Sequence, residues 1–334
     1  MTTAAGAVWS RRAARHTRRL ITEFAPEIVH YHNLFPALSP AVIRAAGDVP
    51  IVMTLHNYRL SCLPATFYRD GRVCEDCLGG SLWPGVKYAC YRGSHAGSAT
   101  LAASLTLHHR LGTFDRVTLF LAISSFVKSK MGQAGIPPNR IRVKPHFSWP
   151  NQTRTNAGDY FLYLGRLSSE KGIDRLVSMW DRSWGTLLVV GDGPLASTLM
   201  SSDPQGVQFS GAVPSSEVGR LLAHARAVVA PSTCHEGAGK VVLEAYSAGV
   251  PVIVSNMGAL PEVVQAGQTG LVVDLGDITG WKDAVEALND DERNRRMGSE
   301  ALSLWKKRYS PEHGLRELEA AYAQARAWVH STGT

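Results

Sequence analysis

Two glutamates, Glu236 and Glu244, stand on either side of a glycine-bearing turn in residues 234–274, CHEGAGKVVLEAYSAGVPVIVSNMGALPEVVQAGQTGLVVD. The apolar run 227–231 has strand character, and 240–248 has the length and apolar spacing of a helix. Glu236 then belongs to the strand-to-helix loop and Glu244 to the helix, so the two carboxylates address different parts of one ligand. They do not form a dyad on one helical face. Carboxylates accept hydrogen bonds from hydroxyls. Gly237 and Gly239 let the backbone approach a ligand closely, and the unpaired N–H groups and positive dipole end of a helix start favour an anion. Hydroxyls on the acids and phosphate at the helix start describe a nucleotide sugar.

A second basic element lies about seventy residues earlier. After a predicted strand at 160–164 comes GRLSSEKG, residues 165–172, which places Arg166 and Lys171 in a loop at a strand's carboxyl end. A guanidinium fork and an ammonium there can clamp phosphate oxygens. His56, in TLHNYRL, likewise follows a predicted strand at 51–55, at the end of the sheet where open α/β folds bind ligands. Cys234 and His235 directly precede Glu236, but neighbours on one loop rarely oppose each other and no third orienting group accompanies them, so a thiol nucleophile is rejected.

This set resembles the retaining glycosyltransferases of family 4, whose C-terminal halves carry E-x7-E followed by G-x-P and PE-x-V blocks. Here these are Glu236 with Glu244, then Gly249-Val250-Pro251, then Pro261-Glu262-Val263-Val264, and the resemblance runs from about residue 26 to 322. It implies an α/β chain of GT-B type, two Rossmann-like domains facing each other across a cleft. It further implies that Glu236 and His56 are the catalytic contacts to the transferred sugar, that Glu244 holds the donor ribose, and that Arg166, Lys171, Gly237 and Gly239 hold its diphosphate. The implied reaction is retaining transfer from a nucleotide-diphosphate sugar to a hydroxyl of a glycan or lipid-linked acceptor, with no metal or other cofactor in the chemistry. Family members begin with a strand and a glycine-rich loop ahead of residue 26. This chain shows neither, so the resemblance implies an incomplete N-terminal domain with an open sheet edge, and a non-catalytic nucleotide-sugar-binding protein is the alternative. His146 stands where relatives carry Asn after Pro, which weakens any contact inferred at that position.

The elements that must hold these residues follow from the rest of the chain. Its 334 residues, 45% hydrophobic and 19% charged, have room for two domains. The expected division is 1–150 for the acceptor side, 151–310 for the nucleotide-sugar side, and 311–334 for a terminal helix crossing back to the first domain. The polar, aperiodic stretch 148–159 reads as the linker. Strand, helix and strand at 28–32, 36–46 and 51–55 form a βαβ pattern and imply parallel pairing. Residues 8–24 read as one basic amphipathic helix, with Arg11, Arg12, Arg15, Arg18 and Arg19 away from an apolar side. Such a helix suits peripheral contact with an anionic membrane.

Four of the five cysteines, Cys62, Cys74, Cys77 and Cys90, fall in a long loop at 61–91. The C-x2-C pair and two further thiols give the spacing of a structural zinc site. The net charge of +7 suits an anionic ligand or surface and, without a stacking motif, does not point to nucleic acid. With no signal-like or bilayer-spanning run, the expected place is the cytoplasm or the inner membrane surface.

Overall fold

The computed structural model describes residues 4–332. By its internal contacts the chain divides into two compact units: residues 1–69, 74–144 and 316–334 in the first, residues 70–73 and 145–315 in the second.

The first unit is built on four parallel strands, β1 (Val29–His32), β2 (Ile51–Leu55), β3 (Leu119–Ala122) and β4 (Ile141–Val143), in spatial order β1-β2-β3-β4. Every residue of β2 and β3 is buried, as expected of central parallel strands covered on both faces. β1 is an edge strand among the described residues. One face of the sheet is closed by the terminal helix, whose Leu318, Ala321, Tyr322 and Ala325 lie against Val52, Leu119 and Leu121. Their spacing of three, four and seven residues is that of one helical stripe.

The single helix expected over 8–24 is in fact two. Ala4–Val8 ends before Trp9, and α1 (Arg11–Phe24) starts anew at Ser10. The Ser10 side chain accepts from the Ala13 N–H at 3.2 Å while its own N–H donates to Ser39 Oγ at 2.9 Å. That is an N-cap, and it stops one helix and begins the next. No residue of α1 is buried, and Phe24 is 75% exposed.

The second unit is a doubly wound sheet of six parallel strands: β5 (Tyr160–Leu164), β6 (Leu187–Val190), β7 (Val207–Gly211), β8 (Ala225–Ala230), β9 (Val252–Ser255) and β10 (Gly270–Val273). Their spatial order is β10-β9-β8-β5-β6-β7. Alternate side chains enter opposite cores. Leu162, Val228, Val252 and Val254 pack on one face with Val242, Tyr246 and Trp305; Phe161, Tyr163, Ala227, Val229 and Ile253 pack on the other with Trp184, Trp281 and Leu288. Fully burying a side chain of this size stabilises by about 1.5–3 kcal/mol. With both faces covered, the strands read as continuous apolar runs rather than alternating ones. The order reverses between β5 and β8, and this switch point is where open α/β sheets leave a crevice at the carboxyl ends of the strands.

Candidate functional site

A cavity of about 160 Å³ opens at that switch point. Tyr163, Leu164, Gly165 and Lys171 line it from the β5 side, Val229 to Ser232 from the end of β8, Glu236, Gly239, Lys240 and Val241 from the following loop and helix, and Leu260 from the short helix after β9. The backbones meet here at close range. Gly172 has φ +69°, and a Cβ on it would sit 2.0 Å from the carbonyl oxygen of Pro231. Only glycine combines that conformation with that approach. Thr233 fastens the junction from the other chain segment, its N–H donating to Glu170 O at 3.0 Å and its hydroxyl to Ser169 O at 2.8 Å.

The Glu236 carboxylate accepts from the Lys171 ammonium and, at 2.7 Å, from the Ser232 hydroxyl. Burial alone would depress the Lys171 pKa, but Glu236 beside it holds the ammonium above its ordinary value. The Glu236 backbone is held as well: its carbonyl accepts from the Ala259 N–H at 2.8 Å, and a Cβ at Gly258 would lie 2.5 Å from its nitrogen and oxygen. A cation and an anion, sixty-five residues apart in sequence, are thus fixed side by side over a small hollow with a mostly apolar lining.

The helix α2 (Lys240–Ser247) begins at the rim of this hollow. Its N-cap is Gly239, at φ 56°, and no side chain caps it, so the helix start is left to whatever acceptor the hollow receives. Glu244 lies in the helix and Glu236 in the loop, as the sequence spacing predicts. Glu244 faces Lys240 one turn away at 3.7 Å, and burial raises its carboxyl pKa against the opposing pull of that lysine.

Lys171, Glu236 and Gly239 line the cavity, whereas Arg166, Gly237 and Glu244 do not. Arg166 is exposed in the same loop as Lys171, and its carbonyl accepts from Tyr163 OH at 2.7 Å. Ser232 was not singled out in the sequence, although a hydroxyl four residues before Glu236 on the same loop was available as a signal. The Gly191-Asp192-Gly193-Pro194 turn packs against this loop, with Leu167 N–H donating to Asp192 O at 2.9 Å.

His56 sits in the first unit, directly after β2, beside a cavity of about 250 Å³ lined by Asn33, Thr54, Asn57, Arg59 and apolar neighbours. It does not stand alone. His56 Nε2 shares a hydrogen bond of 2.7 Å with Nδ1 of His32, and the His32 ring lies tilted by 34° against that of His30, 4.1 Å between centres.

The cysteines do not fit the zinc ion expected of them. Among the described residues no group of three or more His, Cys, Asp or Glu is arranged to hold a metal ion, Cys62, Cys74, Cys77 and Cys90 included. All four are free thiols, and buried Cys62 turns its sulfur to the Phe67 N–H at 3.4 Å. The loop is held instead by charge against aromatic faces and by ion pairs. The Arg69 guanidinium lies 3.9 Å from the Tyr88 ring centre and pairs with Asp76, and Lys130 pairs with Glu75 at 2.6 Å. Contacts of the first kind contribute about 0.5–2 kcal/mol each. Among the described residues no helix is long and apolar enough to cross a membrane.

Comparison with known proteins agrees with this architecture. Residues 158–291 match the family model described as glycosyl transferases group 1, and residues 3–147 match that of glycosyltransferase family 4. A GDP-mannose-dependent alpha-(1-6)-phosphatidylinositol monomannoside mannosyltransferase of Mycobacterium tuberculosis is 33% identical over 244 residues, covering 63% of this chain and 62% of the relative. A glycogen synthase of the same organism is 27% identical over 301 residues, covering 84% and 64%. The chain therefore spans less than two thirds of the length of these curated relatives. Among solved structures, Anabaena Alr3699/HepE in complex with UDP superposes with a TM-score of 0.64 at 18% identity, covering 93% of this chain and 81% of that one. Sucrose-phosphate synthase from Thermosynechococcus elongatus gives 0.66 at 18%, covering 94% and 77%. Matched in both halves, and folded as two Rossmann-like α/β units of GT-B type, the chain belongs to the group 1, family 4 glycosyltransferases.

Proposed function

We propose that this chain transfers a sugar from a nucleotide-diphosphate donor to a hydroxyl of a glycan or lipid-linked acceptor, with retention of anomeric configuration. The observation that carries the reading is the Lys171–Glu236 pair at the switch point, next to the uncapped start of α2. A leaving nucleoside diphosphate gains negative charge in the transition state. Lys171, the N–H groups of α2 and the exposed Arg166 are the chain's own groups for stabilising it, without a metal. Glu236 already accepts two hydrogen bonds, and its carboxylate suits the hydroxyls of the sugar; His56 is assigned to a sugar contact on the family resemblance. Glu244, a turn further into the helix, is assigned to the ribose. Same-face attack, with the departing phosphate taking the acceptor proton, leaves no carboxylate the role of nucleophile, unlike retaining glycosidases.

The donor-binding relatives support this reading: the mannosyltransferase is named for its dependence on GDP-mannose, and HepE was crystallised with UDP. The reading is tested by incubating the protein with a panel of nucleotide sugars and candidate acceptors and following product by mass spectrometry. NMR of the product's anomeric proton then reads configuration. Nucleotide release from no donor would overturn the transferase, and an inverted product would overturn retention.

The basic side of α1, with Arg11, Arg12, Arg15, Arg18 and Arg19, is assigned to an anionic membrane surface at which a lipid-linked acceptor would be met. Co-sedimentation with vesicles tests it: binding to vesicles containing anionic lipid, weakened by salt, is expected. Equal binding to zwitterionic vesicles would contradict it.

A further inference from the structure

The histidines of the first unit form a constructed array. The parallel register sets His30 beside Val52 and His32 beside Thr54, and the two-residue period of a strand puts His30 and His32 on one face, with Thr54 and His56 beside them. His30 is pinned at both ring nitrogens, Nε2 to Thr54 Oγ1 at 2.8 Å and Nδ1 to Tyr322 OH at 2.9 Å. Its ring backs that of His32 at 4.1 Å, and His32 Nδ1 meets His56 Nε2 at 2.7 Å. His56 is thereby held by a ring that is itself held.

We propose that His32 is a positioning residue that fixes the ring orientation of His56 for glycosyl transfer, an inference that rests on the assignment of His56 to the sugar. An imidazole–imidazole hydrogen bond needs one N–H and one lone pair. Whichever way the proton lies, His56 Nε2 is committed to His32, and that contact sets the plane of the His56 ring. One added proton leaves an imidazolium donating to an imidazole. A second would put two N–H groups face to face and break the contact.

The groups around the pair favour its neutral form. Burial lowers the pKa of both rings, Lys144 lowers both further, and His32 also lowers that of His56. His30 is pushed down to about 4, first by burial and then by His32, His56 and Lys144. Arg59 lines the cavity beside His56, Tyr322 faces His30, and Glu317 acts on Lys144. No carboxylate is among the causes acting on the three rings.

The test combines ring ¹⁵N NMR with turnover for wild type, His32→Phe, His32→Gln and His56→Ala. In wild type His56 is expected to titrate below the ordinary histidine range. In His32→Phe its pKa should move upward, because a hydrogen bond and a like charge are both gone. The acid limb of the kcat profile should then move to higher pH, kcat fall about 10-fold or more, and the donor KM change little. His32→Gln, which can still donate or accept, should recover part of kcat. An unchanged His56 pKa and acid limb in His32→Phe would overturn the proposal. Wild-type turnover by His56→Ala would instead overturn the assignment of His56 itself.

Discussion

Glu236 and Glu244 are identical side chains in different surroundings. Glu236 is compensated by Lys171 and Ser232, while Glu244 has only the more distant Lys240 and is partly desolvated. A folded-state pKa raised by burial means that the protonated carboxyl suits the fold better than the ion. The ionised form is therefore a cost that is fully present above the raised pKa and vanishes below the unfolded value. Glu244→Gln is expected to stabilise the free protein at pH 7 by up to about 1 kcal/mol and to flatten the rise in stability as pH falls toward the ordinary carboxyl range. The same change should weaken nucleotide binding about 10-fold, the loss of one charged hydrogen bond. Chemical denaturation across pH with calorimetry of nucleotide binding checks both, and a variant less stable than wild type at pH 7 would refute the burial argument. That one of these acids falls in the loop and the other in the helix was legible in the sequence from spacing and apolar pattern. Ser232 and His32 were not legible as partners, because a hydrogen bond between side chains on different turns or strands leaves no periodicity behind.

At the scale of elements, the site depends on how closely two loops can pass. Gly172 has a left-handed backbone and almost no distance to Pro231. An alanine there would strain the backbone and collide with a fixed carbonyl, so Gly172→Ala is expected to destabilise by about 2–4 kcal/mol. It should also cost turnover, by displacing Lys171 next to it. Urea denaturation and a donor-release assay read the two effects, and a fully stable, fully active alanine variant would show that the junction is softer than described. The strands and most helices of the second unit were visible as apolar runs between glycine-rich turns. The break at Ser10 was not: an arginine-rich segment keeps its helical period through a cap whose partner, Ser39, lies twenty-nine residues away. For the cysteine loop, ligand spacing says which residues could meet a metal and not how their sulfurs are arranged.

At the scale of the molecule, two sheets of one topological kind serve different tasks. The six-stranded sheet carries its own switch point and the paired charges. The four-stranded sheet carries the histidine array and is covered by the chain's last helix, which starts at Pro311 among the last residues of the second unit and packs Ala321 and Ala325 on Val52, Leu119 and Leu121. That return was readable as a long amphipathic C-terminal helix, whereas its partner strands were supplied by the structure. The central claim is that the lysine and glutamate at the switch point hold an activated sugar. Its most direct measurement is the initial rate of sugar release or transfer by purified Glu236→Gln beside wild type, with nucleoside diphosphate affinity measured on both. The account predicts a rate lowered on the order of 10²-fold with nucleotide affinity kept within a few-fold and the fold intact. A folded Glu236→Gln protein turning over at the wild-type rate would contradict it.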